Sequence, residues 1–552
     1  MSHNIAHRMS RMAQLIPDQR AVVFPHKRDR KGNYSYSQLT FRELDENSDR
    51  LARGLNRMGI TRGTRLVLMV KPGLEFITLT FAIFKTGAVI VLIDPGMGPR
   101  NVFRCLESIK PEGFVAIPIV QAMRILKKRS YPNAQWNVTI GRRWFWGGET
   151  YSSLLRLGEE ERSLPDVSAD DPAAIIFTSG STGPAKGVLY EHGMFNAQVD
   201  LLGGFYGIEQ GEIDLSGFPL FALFNSALGV TTVIPDMDAT KPASVDPKNI
   251  VRIIRDQKAT QAFGSPALWN RVGKYCKEKE LRLPTLKRVL SAGAPVPLHV
   301  LKSMRATFSN PETDIHTPYG ATESLPVCSI SGRRVLEETA QQSRTGAGTC
   351  VGKPFPQVQV KVVEITEGPI ENLADVKILP TGKIGEIIVQ GPSTTKEYYL
   401  NPLATQIAKI KDDSRFWHRM GDVGYFDSIG DLWFCGRKSH IVETERGVMF
   451  TIPCEAIFNE HSLVFRTALV GVGEKPNQIP VMIVEPEPGE FPQNSESMND
   501  LCNELLAMGK QSSLTQHIET ILVRPSLPVD VRHNVKISRE KLSVWAEDRL
   551  AS

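Results

Sequence analysis

Little in this chain marks it for secretion, a membrane interior or a nucleic acid. Its 552 residues include only seven cysteines, Cys105, Cys276, Cys328, Cys350, Cys435, Cys454 and Cys502. None forms a C-x-x-C pair, which argues against both a zinc ribbon and a disulfide framework. A reducing cytoplasm fits that usage. No apolar run is long enough to span a bilayer. The longest, Phe76 to Ile93, is broken by Lys85 and Gly87 and reads as a buried helix followed by a buried strand. The N-terminus lacks a secretory leader. Ile5, Met9, Met12 and Leu15 mark an amphipathic helix ended by Pro17. Neither sign of charge dominates, since 65 Lys/Arg against 60 Asp/Glu leave +5. There is no long basic block with interleaved aromatics, which argues against nucleic acid as the main partner. Lys127-Lys128-Arg129 reads as a solvated face.

The length predicts two to four domains. With 41% hydrophobic and 23% charged residues, the composition is that of a globular protein. Helical and strand patterns alternate through the first two-thirds. Helices are expected at 41–58, 76–84 and 102–109, and strands at 65–70, 89–93 and 113–117, the pattern of parallel sheets covered by helices. From about Val351 the texture becomes strand-rich. After Arg437 a second alternating unit begins, with a helix near Cys454, strands at 466–472 and 480–485, and a long helix from Met498. The expected division is 1–436 and 437–552, with no internal repeat.

The most informative stretch runs from Phe177 to Gly187, FTSGSTGPAKG. It follows the apolar run Ala173 to Phe177. Glycines let a backbone approach a ligand closely, and successive N–H groups in such a loop make a concave anion site. Thr178, Ser179, Ser181 and Thr182 add hydroxyl donors, and Lys186 adds a point charge. The set suits a polyphosphate, so consumption of ATP is expected. It is not a Walker A loop, because Lys186 is followed by Gly187 rather than Ser or Thr. Nor does a Gly-x-Gly-x-x-Gly open a helix here. The bland reading is a polar surface turn.

Four further segments follow in order: Ser291-Ala292-Gly293-Ala294-Pro295, Tyr319-Gly320-Ala321-Thr322-Glu323, Met420-Gly421-Asp422-Val423-Gly424, and Arg532-His533-Asn534-Val535-Lys536-Ile537. Asp422 is expected on a tight turn before a strand. Together with the loop, and with Phe84 to Val89 and Gly382 to Glu386, these motifs resemble the adenylate-forming superfamily of acyl-CoA synthetases, luciferases and adenylation domains. The resemblance covers almost the whole chain. It implies an α/β fold, with a large N-terminal adenylating domain of helix-covered β-sheets plus a small β-barrel-like subdomain, and a small mobile α+β C-terminal domain. It also implies the site. Thr178, Ser179, Gly180, Ser181, Thr182, Gly183 and Lys186 would hold the β- and γ-phosphates. Gly293, Ala294 and Pro295 would line the adenine slot, with Tyr319 and Gly320 against the base. Thr322 would contact the α-phosphate, and Glu323 would help hold Mg²⁺. Asp422 would accept from the ribose hydroxyls, Arg437 would sit beside the ribose, and Lys536 would reach the attacking carboxylate. The usual family glycine before that lysine is Val535 here. Read singly, each of these residues has a structural or surface alternative. His316, His418 and His533 lie near the motifs and read as structural.

Three features look like one subgroup, the bacterial olefin β-lactone synthetases: Val91 to Gly98, Arg437-Lys438-Ser439-His440, and the ending Pro528 to Ile537. That likeness implies adenylation of a long-chain 2-alkyl-3-hydroxy acid, then ring closure by its own β-hydroxyl, with release of AMP and diphosphate, in long-chain olefin biosynthesis. It also implies cytoplasmic work beside a thiolase-like enzyme, a reductase and a β-lactone decarboxylase. The acyl pocket is expected at Phe218 to Asn225 and Gly264 to Pro266. A long-chain fatty-acyl-CoA ligase is the alternative, and a non-catalytic binding module of the same fold is another.

Overall fold

The structure is a computed structural model, described over residues 3–30, 32–160, 165–178, 184–218, 222–529 and 537–551. Two large sheets organise the first 437 residues. One has seven strands in the order Glu149–Thr150, Trp136–Thr139, Gly113–Ala116, Arg65–Met69, Val89–Leu92, Pro172–Phe177 and Gly187–Glu191. All its pairings are parallel except the last. Its central strands read as continuous apolar runs because both faces are covered. The other sheet has fourteen strands. Its parallel block includes Ile213–Ser216, Gln261–Gly264, Arg288–Ser291 and Asp314–Ala321. The strand-rich region expected from Val351 is continuous with this block. Asp314–Ala321 folds back on Ser324–Ser331, which pairs with Thr349–Pro354, and so on to Arg415–Phe426 and Leu432–Arg437.

Helices lie between the sheets. Phe41–Arg57 is opened by a capping box in which Thr40 and Glu43 satisfy each other's backbone N–H groups. Leu74–Lys85 is buried on every side from Phe76 onward, which explains its unbroken apolar sequence. Phe76, Phe81, Phe84, Leu202 and Tyr190 belong to the main core. Lys85 is the one cation in that helix's buried run. Its Nζ donates to Asp45 Oδ1 and Asp49 Oδ1, both at 2.6 Å, and to the Asp45 carbonyl at 3.2 Å. The Phe84-Lys85-Thr86-Gly87 motif thus clamps two helices together.

One expectation needs correction. Asp422 does not sit on a turn before a strand. It lies within the long strand Arg415–Phe426. Gly421 takes φ +66, and the ladder shifts register there: Arg419 faces Ile388 while Val423 faces Glu386. A glycine signal that suggested a turn is a bulge, which re-aims the strand without ending it.

After Arg437 the chain builds a three-stranded sheet, Val464–Val472, Ile479–Pro486 and Thr520–Val523, with the helix Ser495–Gly509 crossing between the parallel pair. All seven cysteines are free thiols.

Replacing Lys85 by Ala leaves Asp45 and Asp49, which are partly solvent-exposed, without their shared buried cation. Solvent screening of the two acids puts the cost at about 1–2 kcal/mol, below that of a fully buried pair. The first thermal unfolding transition of Lys85→Ala should therefore fall by several degrees. A transition at the wild-type temperature would remove the clamp from the account.

Candidate active site

A cavity of about 1880 Å³ lies where the carboxyl ends of both sheets meet. This is where open α/β sheets bind ligands. The strands that flank the hydroxyl-glycine loop pair antiparallel beside it. Phe177 pairs with Gly187, Thr178 N–H donates to the Lys186 carbonyl at 3.0 Å, and Lys186 N–H donates to Thr178 Oγ1 at 3.2 Å. Thr178 and Lys186 both line the cavity. Lys186 Nζ stands 4.9 Å from the Tyr398 ring centroid, a cation–π contact. Ser179, Gly180, Ser181, Thr182 and Gly183 lie outside the described residues, as does Lys536 with its neighbours from Asp530.

A hairpin carries Tyr319 to Glu323. Its turn falls at Thr322 and Glu323, between the paired Ala321 and Ser324. Gly320 is required here, since a Cβ would meet the Ser324 carbonyl at 2.9 Å. Tyr319, Gly320, Thr322 and Glu323 all line the cavity. The turn is held from three sides. Tyr190, fully buried, donates its hydroxyl to the Thr322 carbonyl. Thr395 donates its N–H (2.9 Å) and hydroxyl (3.0 Å) to the Glu323 carbonyl. Tyr398 donates its hydroxyl to Glu323 Oε1 at 2.7 Å. Lys409 supports this from behind by donating to Thr395 Oγ1 at 3.2 Å and to its carbonyl. Burial lowers the Lys409 ammonium to about 7, although the Glu323 charge opposes that shift.

Tyr319, Asp422 and Arg437 form the third element. Tyr319 donates to Asp422 Oδ2 at 2.6 Å, and Arg437 donates to Asp422 Oδ1 at 2.7 Å and to the Met420 carbonyl at 3.1 Å. Asp422 pairs with Arg437 across adjacent strands. Desolvation raises the Asp422 carboxyl above its usual range, and the Arg437 charge opposes this most. Met420, Gly421 and Arg437 line the cavity, but Asp422 stands behind them. Both of its oxygens already have one donor, so a ribose would use the remaining lone pairs.

Other expectations divide. Ala292 and Gly293 reach the wall, with Gly293 at φ +96, while Ala294 and Pro295 are not among the lining residues. Phe218, Leu223, Phe224 and Ser265 line the cavity. Asn225 instead donates to the buried Asp214 at 2.7 Å. Pro219, Leu220 and Phe221 lie outside the described residues. Leu92, Ile93, Asp94 and Pro95 also line it.

Sequence reasoning did not find Tyr190, Thr395, Tyr398 or Lys409, because nothing local distinguishes them. It also read His418 as structural. That histidine is 2% exposed, lines the cavity and has no partner for Nδ1 among the described residues. Burial first, and the Lys409 charge next, hold its pKa far below the usual range, so it is neutral. The Glu386 of the Gly382 to Glu386 motif has a different role. It pairs with Arg419 (2.6 Å) and Lys438 (3.3 Å), pinning the start of the connection to the C-terminal sheet.

No three His, Cys, Asp or Glu side chains among the described residues converge on a metal position. Glu323, one of several carboxylates on the cavity wall, would suit a Mg²⁺ that takes one or two carboxylates together with phosphate oxygens and waters. The residues fit that ion.

Residues 10–399 match the family model described as AMP-binding enzyme. The chain is 45% identical to the olefin beta-lactone synthetase of Stenotrophomonas maltophilia (strain K279a), over 99% of this chain and 98% of that one. It is also 45% identical to the olefin beta-lactone synthetase of Xanthomonas campestris pv. campestris, over 98% and 97%. A long-chain-fatty-acid–CoA ligase of Thermus thermophilus is 24% identical over 83% and 82%. Among solved structures, the anthranilate CoA ligase AuaEII with anthranoyl-AMP aligns at TM-score 0.78 and 18% identity, covering 100% of this chain and 99% of that one. The o-succinylbenzoate CoA synthetase of Bacillus subtilis, solved with ATP and a magnesium ion, aligns at TM-score 0.73 and 20% identity, covering 97% and 98%. The chain therefore belongs to the AMP-binding, adenylate-forming enzyme family, and within it to the olefin β-lactone synthetases.

Replacing Arg437 by Gln removes the cation that most favours an ionised Asp422. The Asp422 pKa should then rise further. The acid limb of AMP binding, followed by calorimetry across pH, should move to higher pH by about one unit or more. A limb that stays at the wild-type pH would separate Asp422 from nucleotide binding.

Proposed function

We propose that this protein is an ATP-dependent, AMP-forming olefin β-lactone synthetase acting on a long-chain 2-alkyl-3-hydroxyalkanoic acid. The observation that carries this reading is the 45% identity, over nearly the full length, to two proteins of that name. CoA ligase relatives stand at 24% to 29%. An apolar-walled cavity of about 1880 Å³ supports it, since ordinary ligand pockets hold about 300–1,000 Å³.

The chemistry runs in two steps. A carboxylate oxygen of the acid attacks the α-phosphorus of ATP, and the bond to diphosphate breaks. The substrate's own β-hydroxyl oxygen then attacks the acyl carbon, and AMP leaves with the electrons of the acyl–oxygen bond. The hydroxyl proton is lost as the four-membered ring closes. The strained ring explains the need for ATP. An intramolecular nucleophile replaces CoA through proximity. Thr178, Lys186 and the hydroxyls and amides of 179–183 bind the β- and γ-phosphates. Tyr319 and Gly320, with Gly293, bound the adenine. Thr322 serves the α-phosphate, and Asp422 with Arg437 the ribose. Glu323 would hold Mg²⁺, whose charge offsets that building on the phosphates. Tyr398 and Thr395 fix its carboxylate and backbone. We assign residues 1–436 to the nucleotide- and acyl-binding part and 437–552 to a C-terminal part carrying Lys536. Work in the cytoplasm beside the thiolase-like, reductase and β-lactone decarboxylase enzymes completes the proposal.

The test is direct. Enzyme, ATP, Mg²⁺ and a long-chain 2-alkyl-3-hydroxy acid are incubated without CoA. A β-lactone with stoichiometric AMP is expected by mass spectrometry. Product that appears only as a thioester, and only when CoA is added, would return the chain to the acyl-CoA ligases.

The assignment of Lys536 has its own check. Lys536→Ala should slow substrate-dependent diphosphate release by roughly a hundredfold or more, the scale of losing one charge-stabilising donor. ATP binding should stay near wild type. Unchanged diphosphate release would show that Lys536 takes no part in adenylation.

A further inference from the structure

Between Glu112 and Glu149 lie 36 residues without a single Asp or Glu and with six Lys/Arg, in a chain whose total charge is only +5. Five of the six, Lys127, Lys128, Arg129, Arg142 and Arg143, are exposed. The same segment exposes large apolar side chains: Ile119 at 61%, Leu126 at 85%, Trp144 at 54% and Phe145 at 82%. Scattered exposed apolar residues are ordinary. These are not scattered. Ile119 and Leu126 are seven residues apart on the helix Pro118–Leu126, so they share one face. The loop bearing Trp144 and Phe145 leaves the strand next to the one that feeds this helix, and Ala116 pairs with Thr139. A Cβ on Gly141 would lie 3.8 Å from Pro118. Trp146 anchors the loop: it is buried, donates to Thr139 Oγ1 at 2.9 Å, and packs against the rings of Trp144 and Phe145.

The helix is also a wall of the cavity. Ile119 and Val120 line the main cavity, and Ile119 is mostly exposed, so the cavity opens to solvent there. On its inner side Val120 and Met123 bound a second apolar cavity of about 160 Å³, which shares Met69, Pro95 and Val120 with the first.

We propose that the helix Pro118–Leu126 and the Arg142 to Phe145 loop form an interfacial docking surface for an anionic lipid bilayer, with the cavity mouth at Ile119 turned toward the lipid. Aromatic and aliphatic side chains would enter the headgroup layer while the basic residues meet anionic headgroups, the arrangement of peripheral membrane-binding elements. A protein partner is the less fitting occupant, because this surface offers it one sign of charge only. Where the proposal concerns substrate entry it rests on the long-chain acid reading above. Where it concerns membrane binding it stands alone.

The test uses the full-length protein without ATP or acid, so its outcome is independent of catalysis. Sedimentation with vesicles of phosphatidylcholine alone is compared with vesicles containing 40% phosphatidylglycerol (both compositions set by the experimenter), at low and high salt. Binding is expected only to the anionic vesicles and should weaken with salt. Arg142→Gln with Arg143→Gln should weaken it by roughly 25-fold, about fivefold per charge. Trp144→Ser with Phe145→Ser should weaken it at least as much. Unchanged thermal unfolding of both variants establishes that they fold. Failure to bind anionic vesicles, or binding indifferent to both double variants, would overturn the proposal. So would mutation-sensitive capture of a pathway enzyme by this surface with no vesicle binding.

Discussion

The buried carboxylate of Asp422 is the constraint on which the site depends. A carboxylate at this depth is costly unless it is paired and hydrogen-bonded. Its two donors come from different places. Tyr319 stands on the hairpin that carries Thr322 and Glu323, and Arg437 ends the last strand of the large sheet. Satisfying one charge therefore fixes the nucleotide hairpin, the bulged strand and the start of the C-terminal part relative to each other. Glu386 repeats the device a few residues away, holding Arg419 on the same strand and Lys438 just past Arg437. Both acids act on the chain at the point where the large sheet stops. A second substrate that had to be admitted between half-reactions would call for freedom there. A ring closed by the substrate's own hydroxyl does not.

Glu323 illustrates how a cavity-facing acid is held in place by its neighbours. Its backbone is tied by Thr395, its carboxylate by Tyr398, and Thr395 by Lys409. The side chain is aimed before any ion arrives, and preorganised charge of this kind is the largest common source of electrostatic catalysis. The neutral His418 and the Lys409 ammonium near 7 lie beside it.

Much of this was legible in the chain. Parallel strands such as Val89–Leu92 and Gly113–Ala116 are buried and read as apolar runs, and the helix Phe41–Arg57 announces itself through the apolar face of Leu44, Leu51 and Leu55. The motif residues that gather at the cavity, Thr178, Lys186, Gly293, Tyr319, Thr322 and Glu323, stand in the sequence as short ordered motifs of glycines, hydroxyls and acids. The setting of Asp422 was misread: glycine allows positive φ in a turn and in a bulge alike, and only the partner strand decides which. The supporting shell was not legible. Tyr190, Thr395 and Lys409 lie about 72 to 133 positions from the hairpin they hold and follow no local pattern, since long-range contact leaves no periodic trace.

The cavity explains why the chain tolerates an apolar, exposed helix beside its mouth. A wall of leucine, isoleucine, methionine and phenylalanine is useful only if an equally apolar ligand can reach it, and such a ligand resides at lipid surfaces rather than in water. The helix Pro118–Leu126 has apolar side chains on both sides, toward the cavity through Val120 and toward solvent through Leu126. Burying its outer face in the fold would close the opening at Ile119. Making that face polar would place a hydrated barrier between lipid and cavity. An exposed apolar stripe flanked by arginine and lysine satisfies both demands, because the basic side chains keep the surface hydrated when free and become attractive only where anionic headgroups gather.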